Sequence, residues 1–125
     1  MGLEQSGAKA VLLVEDDPML RGILAETLAA KGFPVLTAEN GEQALAIASS
    51  LDGQLALVVT DVLLPEMDGL ELAAGLASLA TPPPILFISG ILEGRDLPGP
   101  VLPKPFGPSV FLEQIARMLP VGPHR

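Results

Sequence analysis

Leu55-Ala56-Leu57-Val58-Val59-Thr60-Asp61-Val62-Leu63-Leu64-Pro65-Glu66-Met67-Asp68-Gly69 is the stretch whose reading decides the fold. An apolar run ends on a carboxylate, Asp61, and then enters a proline turn. A continuous run without polar alternation fits a strand buried on both faces. A carboxylate at the end of such a strand is costly to place, which points to a task for Asp61.

Three other apolar runs end in polar groups. Ala10-Val11-Leu12-Leu13-Val14 runs into Glu15-Asp16-Asp17, Ile85-Leu86-Phe87-Ile88 into Ser89-Gly90, and Pro100-Val101-Leu102-Pro103 into Lys104-Pro105-Phe106. Strand ends that supply a pair of acids, a further acid and a lysine point to one metal-assisted phosphate site.

The 125 residues suffice for one domain with a single core. With no Trp or Tyr and four Phe, that core must be built from Leu, Val, Ile and Ala. The net charge is −8, and the seven basic residues are spread along the chain without a cluster, so direct nucleic-acid binding is not expected. The absence of cysteine excludes disulfides and thiolate metal sites. Asp61 and the prolines break every long apolar stretch, so no membrane span is expected. Met1-Gly2-Leu3-Glu4-Gln5-Ser6 fits the loose N-myristoylation pattern, but no basic cluster accompanies it. The chain reads as soluble and cytoplasmic.

Between the strand candidates, near 10–14, 33–38, 55–60, 85–88 and 100–103, lie helical signals. Asp17-Pro18 opens the first helix, with Asp as N-cap and Pro at the first helical position. Leu20, Ile23, Leu24, Thr27 and Leu28 then form one face, and Lys31-Gly32 closes it. Asn40 with Gln43 suggests a capping box for the second helix, and Asp68 with Glu71 for the third, whose face holds Leu72, Leu76 and Leu79. A final helix starts at Gly107-Pro108 and carries Val110, Phe111, Ile115 and Leu119. Strands alternating with helices imply an α/β, doubly wound parallel sheet with helices on both faces. Ligands of such folds collect at the C-terminal ends of the strands, where Glu15, Asp16, Asp61 and Lys104 should lie.

One connection is too short for a full helix. Gly90 to Pro98 must descend the length of a strand, roughly 15–17 Å for five residues. Nine helical residues would cover about 13.5 Å and leave nothing for turns. The fourth helix is therefore expected to be missing or reduced to about a turn.

Taken in order, Val-Leu-Leu-Val-Glu15-Asp16-Asp17-Pro, Val-Val-Thr-Asp61-Val-Leu-Leu-Pro-Glu-Met-Asp-Gly, Ile-Leu-Phe-Ile-Ser89-Gly and Leu-Pro-Lys104-Pro-Phe resemble the receiver domain of two-component response regulators, of the chemotaxis-receiver type. The resemblance spans residues 9–119, leaving 1–8 and 120–125 as short tails. It implies a flavodoxin-like, five-stranded parallel sheet in the order 2-1-3-4-5. It also implies that Asp61 is a phosphoacceptor, attacking a phosphohistidine of a sensor histidine kinase or a histidine phosphotransfer protein. The metal ligands implied for Mg²⁺ are Glu15 (through water), Asp16, Asp61 and the backbone carbonyl of Leu63. Ser89 would hydrogen-bond the phosphoryl group, with Gly90 leaving room for it. Lys104 would reach a phosphoryl oxygen, its bond to Pro105 cis as the family commonly holds it. The physics agrees: carboxylates about 4 Å apart repel by about 4 kcal/mol at an effective dielectric near 20, which a hard cation relieves.

The chain departs from the family at Val101, where receivers commonly carry an aromatic that swings inward when the Ser or Thr moves. Together with the shortened fourth helix, this moves the expected output to the first helix or to the Ser89–Pro98 crossover. Apolar area left uncovered by Ile91, Leu92 and Leu97 would favour a homodimer or a partner. With no output module after residue 119, a stand-alone receiver is expected, signalling by contact or relaying phosphate and catalysing only its own phosphorylation and dephosphorylation. Leu63 and Ile91 offer no side chain to orient a hydrolytic water, so a slowly hydrolysed acyl phosphate is expected. The rivals are a pseudo-receiver interaction module, an aspartyl phosphohydrolase and a nucleotide-binding domain. The phosphohydrolase would need a second acid where Leu63 stands. The nucleotide domain would need glycines where Glu15-Asp16-Asp17 stands.

Overall fold

A computed structural model describes residues 9–90 and 97–119. Its strands are β1 (Ala10–Val14), β2 (Val35–Ala38), β3 (Leu55–Asp61), β4 (Ile85–Ser89) and β5 (Val101–Pro103). Its helices among the described residues are α1 (Pro18–Ala30), α2 (Gly41–Ser50), α3 (Gly69–Ala77) and α4 (Pro108–Met118). All strand pairs are parallel, in the order β2-β1-β3-β4-β5. This is the sheet order implied above. The expectation about a fourth helix falls on residues 91–96, which lie outside the described residues.

Local chemistry explains the helix starts. Asp17 caps α1 by accepting from Met19 N–H at 3.0 Å. Asp68 and Glu71 form both bonds of a capping box, at 2.9 and 3.0 Å, and so pin the start of α3 directly after the β3 turn. The box expected at α2 is displaced by one residue. Asn40 accepts from Gln43 N–H at 2.7 Å, but the Gln43 side chain reaches Glu39 N–H rather than that of Asn40. Gly32, at φ +92, ends α1 in the left-handed region that glycine tolerates.

The sheet is buried on both faces. Leu12, Val14, Val58, Leu72 and Leu76 join one core with α2 and α3, and Val11, Leu13, Val59, Phe111 and Ile115 join another with α1 and α4. A smaller cluster gathers Val62, Ala73 and Phe87, with Leu97 and Val101 packed against it. Two helix positions read as core are exposed instead. Ile23 is 51% and Val110 46% accessible. Ile23 lines an apolar cleft of about 220 Å³ with Leu20, Phe106 and Pro108.

Register sets the site. Val14 is level with Thr60, Asp61 with Ile88, and Ser89 with Pro103. Residues one step beyond, Glu15 and Lys104, therefore emerge beside Asp61 and Ser89 at the same end of the sheet. The backbone ladder continues into these ends: Glu15 N–H to Ala38 C=O at 3.1 Å, Val62 N–H to Ile88 C=O at 3.0 Å, and Lys104 N–H to Ser89 C=O at 2.8 Å.

Candidate functional site

Glu15, Asp16 and Asp61 each bring one carboxylate oxygen to within 4.8 Å of the others. Glu15 and Asp61 are buried and Asp16 is exposed. Glu15 Oε2 accepts from Asp17 N–H at 3.2 Å. Asp61 Oδ1 accepts from Leu63 N–H at 3.2 Å, and Asp61 Oδ2 from Lys104 Nζ at 2.7 Å. Asp17, although adjacent, is committed to capping α1.

The electrostatics follow from burial. Desolvation pushes the Glu15 carboxyl above its ordinary value of 4.5, the Asp17 N–H and Lys104 oppose this, and Asp61 and Asp16 reinforce it. Burial would lower the Lys104 ammonium, but its hydrogen bond to Asp61 and the charges of Asp61 and Glu15 outweigh that and hold it above 10.5. Lys104 Nζ lies 3.7 Å from Glu15 Oε1, an ion pair too long for a hydrogen bond. Glu15 Oε1 is buried and accepts no hydrogen bond among the described residues. Among the described residues, the Lys104 ammonium thus pairs with two of the three carboxylates, and Glu15 has an oxygen without a donor. Hard oxygen donors, negative charge in excess and a buried unsatisfied oxygen are what a divalent cation such as Mg²⁺ fits.

Ser89 is buried where β4 ends, its carbonyl bonded to Lys104 N–H. Among the described residues, a β-carbon added at Gly90 would meet nothing within 4 Å. Lys104–Pro105 is cis, as the resemblance implies. Leu63 is half exposed directly after Asp61 and Val62. Val101 packs against the cluster around Phe87, which is fully buried; the aromatic of this region stands on β4 instead of β5.

Two contacts escaped the reading of motifs. Arg21 Nη1 donates to the Glu15 carbonyl at 2.8 Å, and the buried Thr60 hydroxyl donates to the Asp61 carbonyl at 3.0 Å. The signal for Arg21 was its place one turn beyond the cap Asp17. Thr60 gave a weaker one, a hydroxyl inside an otherwise apolar strand.

The response regulator receiver domain family matches residues 11–96. The sensor kinase CckA of Brucella abortus (strain 2308) is 36% identical over 121 residues, covering 91% of this chain, which spans 13% of that kinase's length. The response regulator receiver protein CpdR of the same organism is 34% identical over 118 residues, covering 89% of this chain and 97% of CpdR. Among solved structures, the non-phosphorylated HemR receiver domain from Leptospira biflexa superposes with a TM-score of 0.81 at 28% identity, over 90% of this chain and 95% of that one. No described helix is long and apolar enough to cross a membrane. Sheet order, acidic cluster and family match agree: this chain belongs to the response regulator receiver domain family of two-component signalling.

Proposed function

We propose that this chain is a cytoplasmic, single-domain response regulator that accepts a phosphoryl group on Asp61 in a Mg²⁺-dependent reaction. The donor is a phosphohistidine of a sensor histidine kinase or a histidine phosphotransfer protein. The product signals by protein contact or relays the phosphate. The receiver unit of this proposal spans residues 9–119, and its single-domain form rests on the likeness to CpdR, 97% of whose length aligns. It acts on its own side chain, as a signalling domain and not as an enzyme with a separate substrate.

An Asp61 carboxylate oxygen forms the new O–P bond while the P–N bond to the donor imidazole breaks. The imidazole leaves with the bonding pair and takes up a proton from solvent. The Glu15, Asp16 and Asp61 carboxylates and the Leu63 backbone carbonyl would hold Mg²⁺. Bound there, the ion would supply positive charge that offsets the negative charge of the carboxylates and of the transferred group. Lys104 offers its ammonium, and Ser89 its hydroxyl, to the oxygens of the transferred group.

The observation that carries this reading is the convergence of three carboxylates within 4.8 Å, with Lys104 bonded to Asp61 at 2.7 Å. No observation favours the pseudo-receiver alternative. The test is incubation with Mg²⁺ and a small acyl-phosphate donor, followed by mass measurement. Wild type gains one phosphoryl group; Asp61→Asn, and wild type with chelator, gain none. A wild-type protein that gains nothing, or an Asp61→Asn protein that gains as much, refutes the proposal.

A further inference from the structure

We infer that Arg21 is a positioning residue for Asp16, and that its hydrogen bond to the Glu15 carbonyl sets how tightly the site holds a divalent cation. The inference rests on the reading of Glu15, Asp16 and Asp61 as cation ligands and adds a residue to it.

Asp16 is the weak point of the acid set. Glu15 and Asp61 are buried, and each has a carboxylate oxygen tied to a backbone N–H. The exposed Asp16 carboxylate receives no hydrogen bond among the described residues, so its position depends on the backbone that carries it. A carboxylate held that way aims at a cation only if the peptide planes on either side of it cannot turn.

Both planes are held. The peptide before Asp16 presents the Glu15 carbonyl, which accepts from Arg21 Nη1 at 2.8 Å. The peptide after Asp16 presents the Asp17 N–H, which donates to Glu15 Oε2 at 3.2 Å. Outside this bracket, Glu15 N–H continues the sheet to Ala38 C=O at 3.1 Å and Asp17 caps α1. Arg21 sits one turn into α1, its N–H bonded to Asp17 C=O at 2.9 Å, so its side chain reaches back over the loop from a rigid element. Of the two bonds that bracket Asp16, the one from Arg21 is the shorter and carries a charged donor.

The destination of that bond is informative. Among the described residues Arg21 forms no ion pair, although three acids, Glu15, Asp16 and Asp17, precede it closely in sequence. An arginine serving only surface charge balance would meet a carboxylate. This one spends its bond on a neutral carbonyl next to the ligand loop, as groups that orient metal ligands do.

Isothermal calorimetry of Mg²⁺ binding to the folded full chain tests this, since a dissociation constant measured on folded protein does not report global stability. Asp16→Asn serves as the ligand control. Arg21→Met is expected to weaken Mg²⁺ about tenfold and to shift the Asp16 and Asp17 backbone amide resonances in the metal-free protein. Arg21→Lys keeps the charge but loses the planar fork, and is expected to fall between the two; it also keeps the test open if Arg21→Met does not fold. Wild-type affinity in every folded Arg21 variant, with Asp16→Asn weakened, overturns the inference and leaves the cation site standing. No Mg²⁺ binding by wild type, or equal binding by Asp16→Asn, removes the ligand reading itself.

Discussion

Lys104 Nζ and Asp61 Oδ2 meet at 2.7 Å although the two residues stand 43 positions apart in sequence. The pair joins the ends of β5 and β3 across the intervening β4, and the ammonium pairs with two of the pocket's three acids, Asp61 and Glu15. It therefore belongs to the fold and to the site at once.

Replacing Lys104 by Met leaves Glu15 and Asp61 buried together without that cation. The metal-free variant is expected to lose about 1–3 kcal/mol, since removing one partner strands the other charge. Mg²⁺ should restore more stability to the variant than it adds to wild type. Urea unfolding with chelator and with excess Mg²⁺ measures both, and equal metal-free midpoints would contradict the role assigned to Lys104.

Glu15 makes stability depend on pH in a stated direction. Its folded carboxyl titrates above the ordinary 4.5, so the folded chain holds this proton more tightly than the unfolded one. The stabilisation is complete below 4.5 and is lost as pH rises through the elevated folded value. Glu15→Gln cannot ionise, so in chelator its stability should lack this decline with rising pH. The difference between the two unfolding curves from pH 4 to pH 8 isolates this group.

Gly69 is where α3 meets the end of β3. A β-carbon there would lie 2.7 Å from the Asp61 carbonyl oxygen and 3.0 Å from Val62 Cα, both backbone atoms that cannot swing aside. Gly69→Ala should cost about 1–3 kcal/mol, outweighing the gain of up to about 1 kcal/mol from replacing a helical glycine. Gly22→Ala, on α1 with nothing within 4 Å of the added carbon, should show that gain alone. Thermal melts of the two variants are expected to move in opposite directions.

Leu63, half exposed beside Asp61, has no polar atom in its side chain to aim a water at a phosphorylated aspartate. The acyl phosphate should persist for minutes or longer in purified protein. Loss of the added mass within seconds would remove this expectation.

The strand ends and the caps were legible because both rest on contacts close in sequence or on the cost of burying charge. Asp17 and Asp68 bond to N–H groups two and three residues on, and such bonds form whatever the rest of the chain does. The failures have two origins. Ile23 and Val110 fit the helical period, but a period reports a face and not how much of that face a neighbour covers. Gln43 fits a capping box, yet its side chain found Glu39 N–H.

The order of residues along this chain determined by itself which groups would stand at the ends of apolar runs: Glu15 and Asp16, Asp61, Ser89, and Lys104. Hydrophobic burial leaves such runs few other places to go. Their meeting was decided by parallel register, which levels Val14 with Thr60 and Asp61 with Ile88. Tertiary structure decided that Glu15 Oε1 would be left without a hydrogen-bond donor among the described residues, and that Arg21 would turn back to the Glu15 carbonyl. These last two depend on distances between elements, and a distance between elements is set by packing rather than by local sequence.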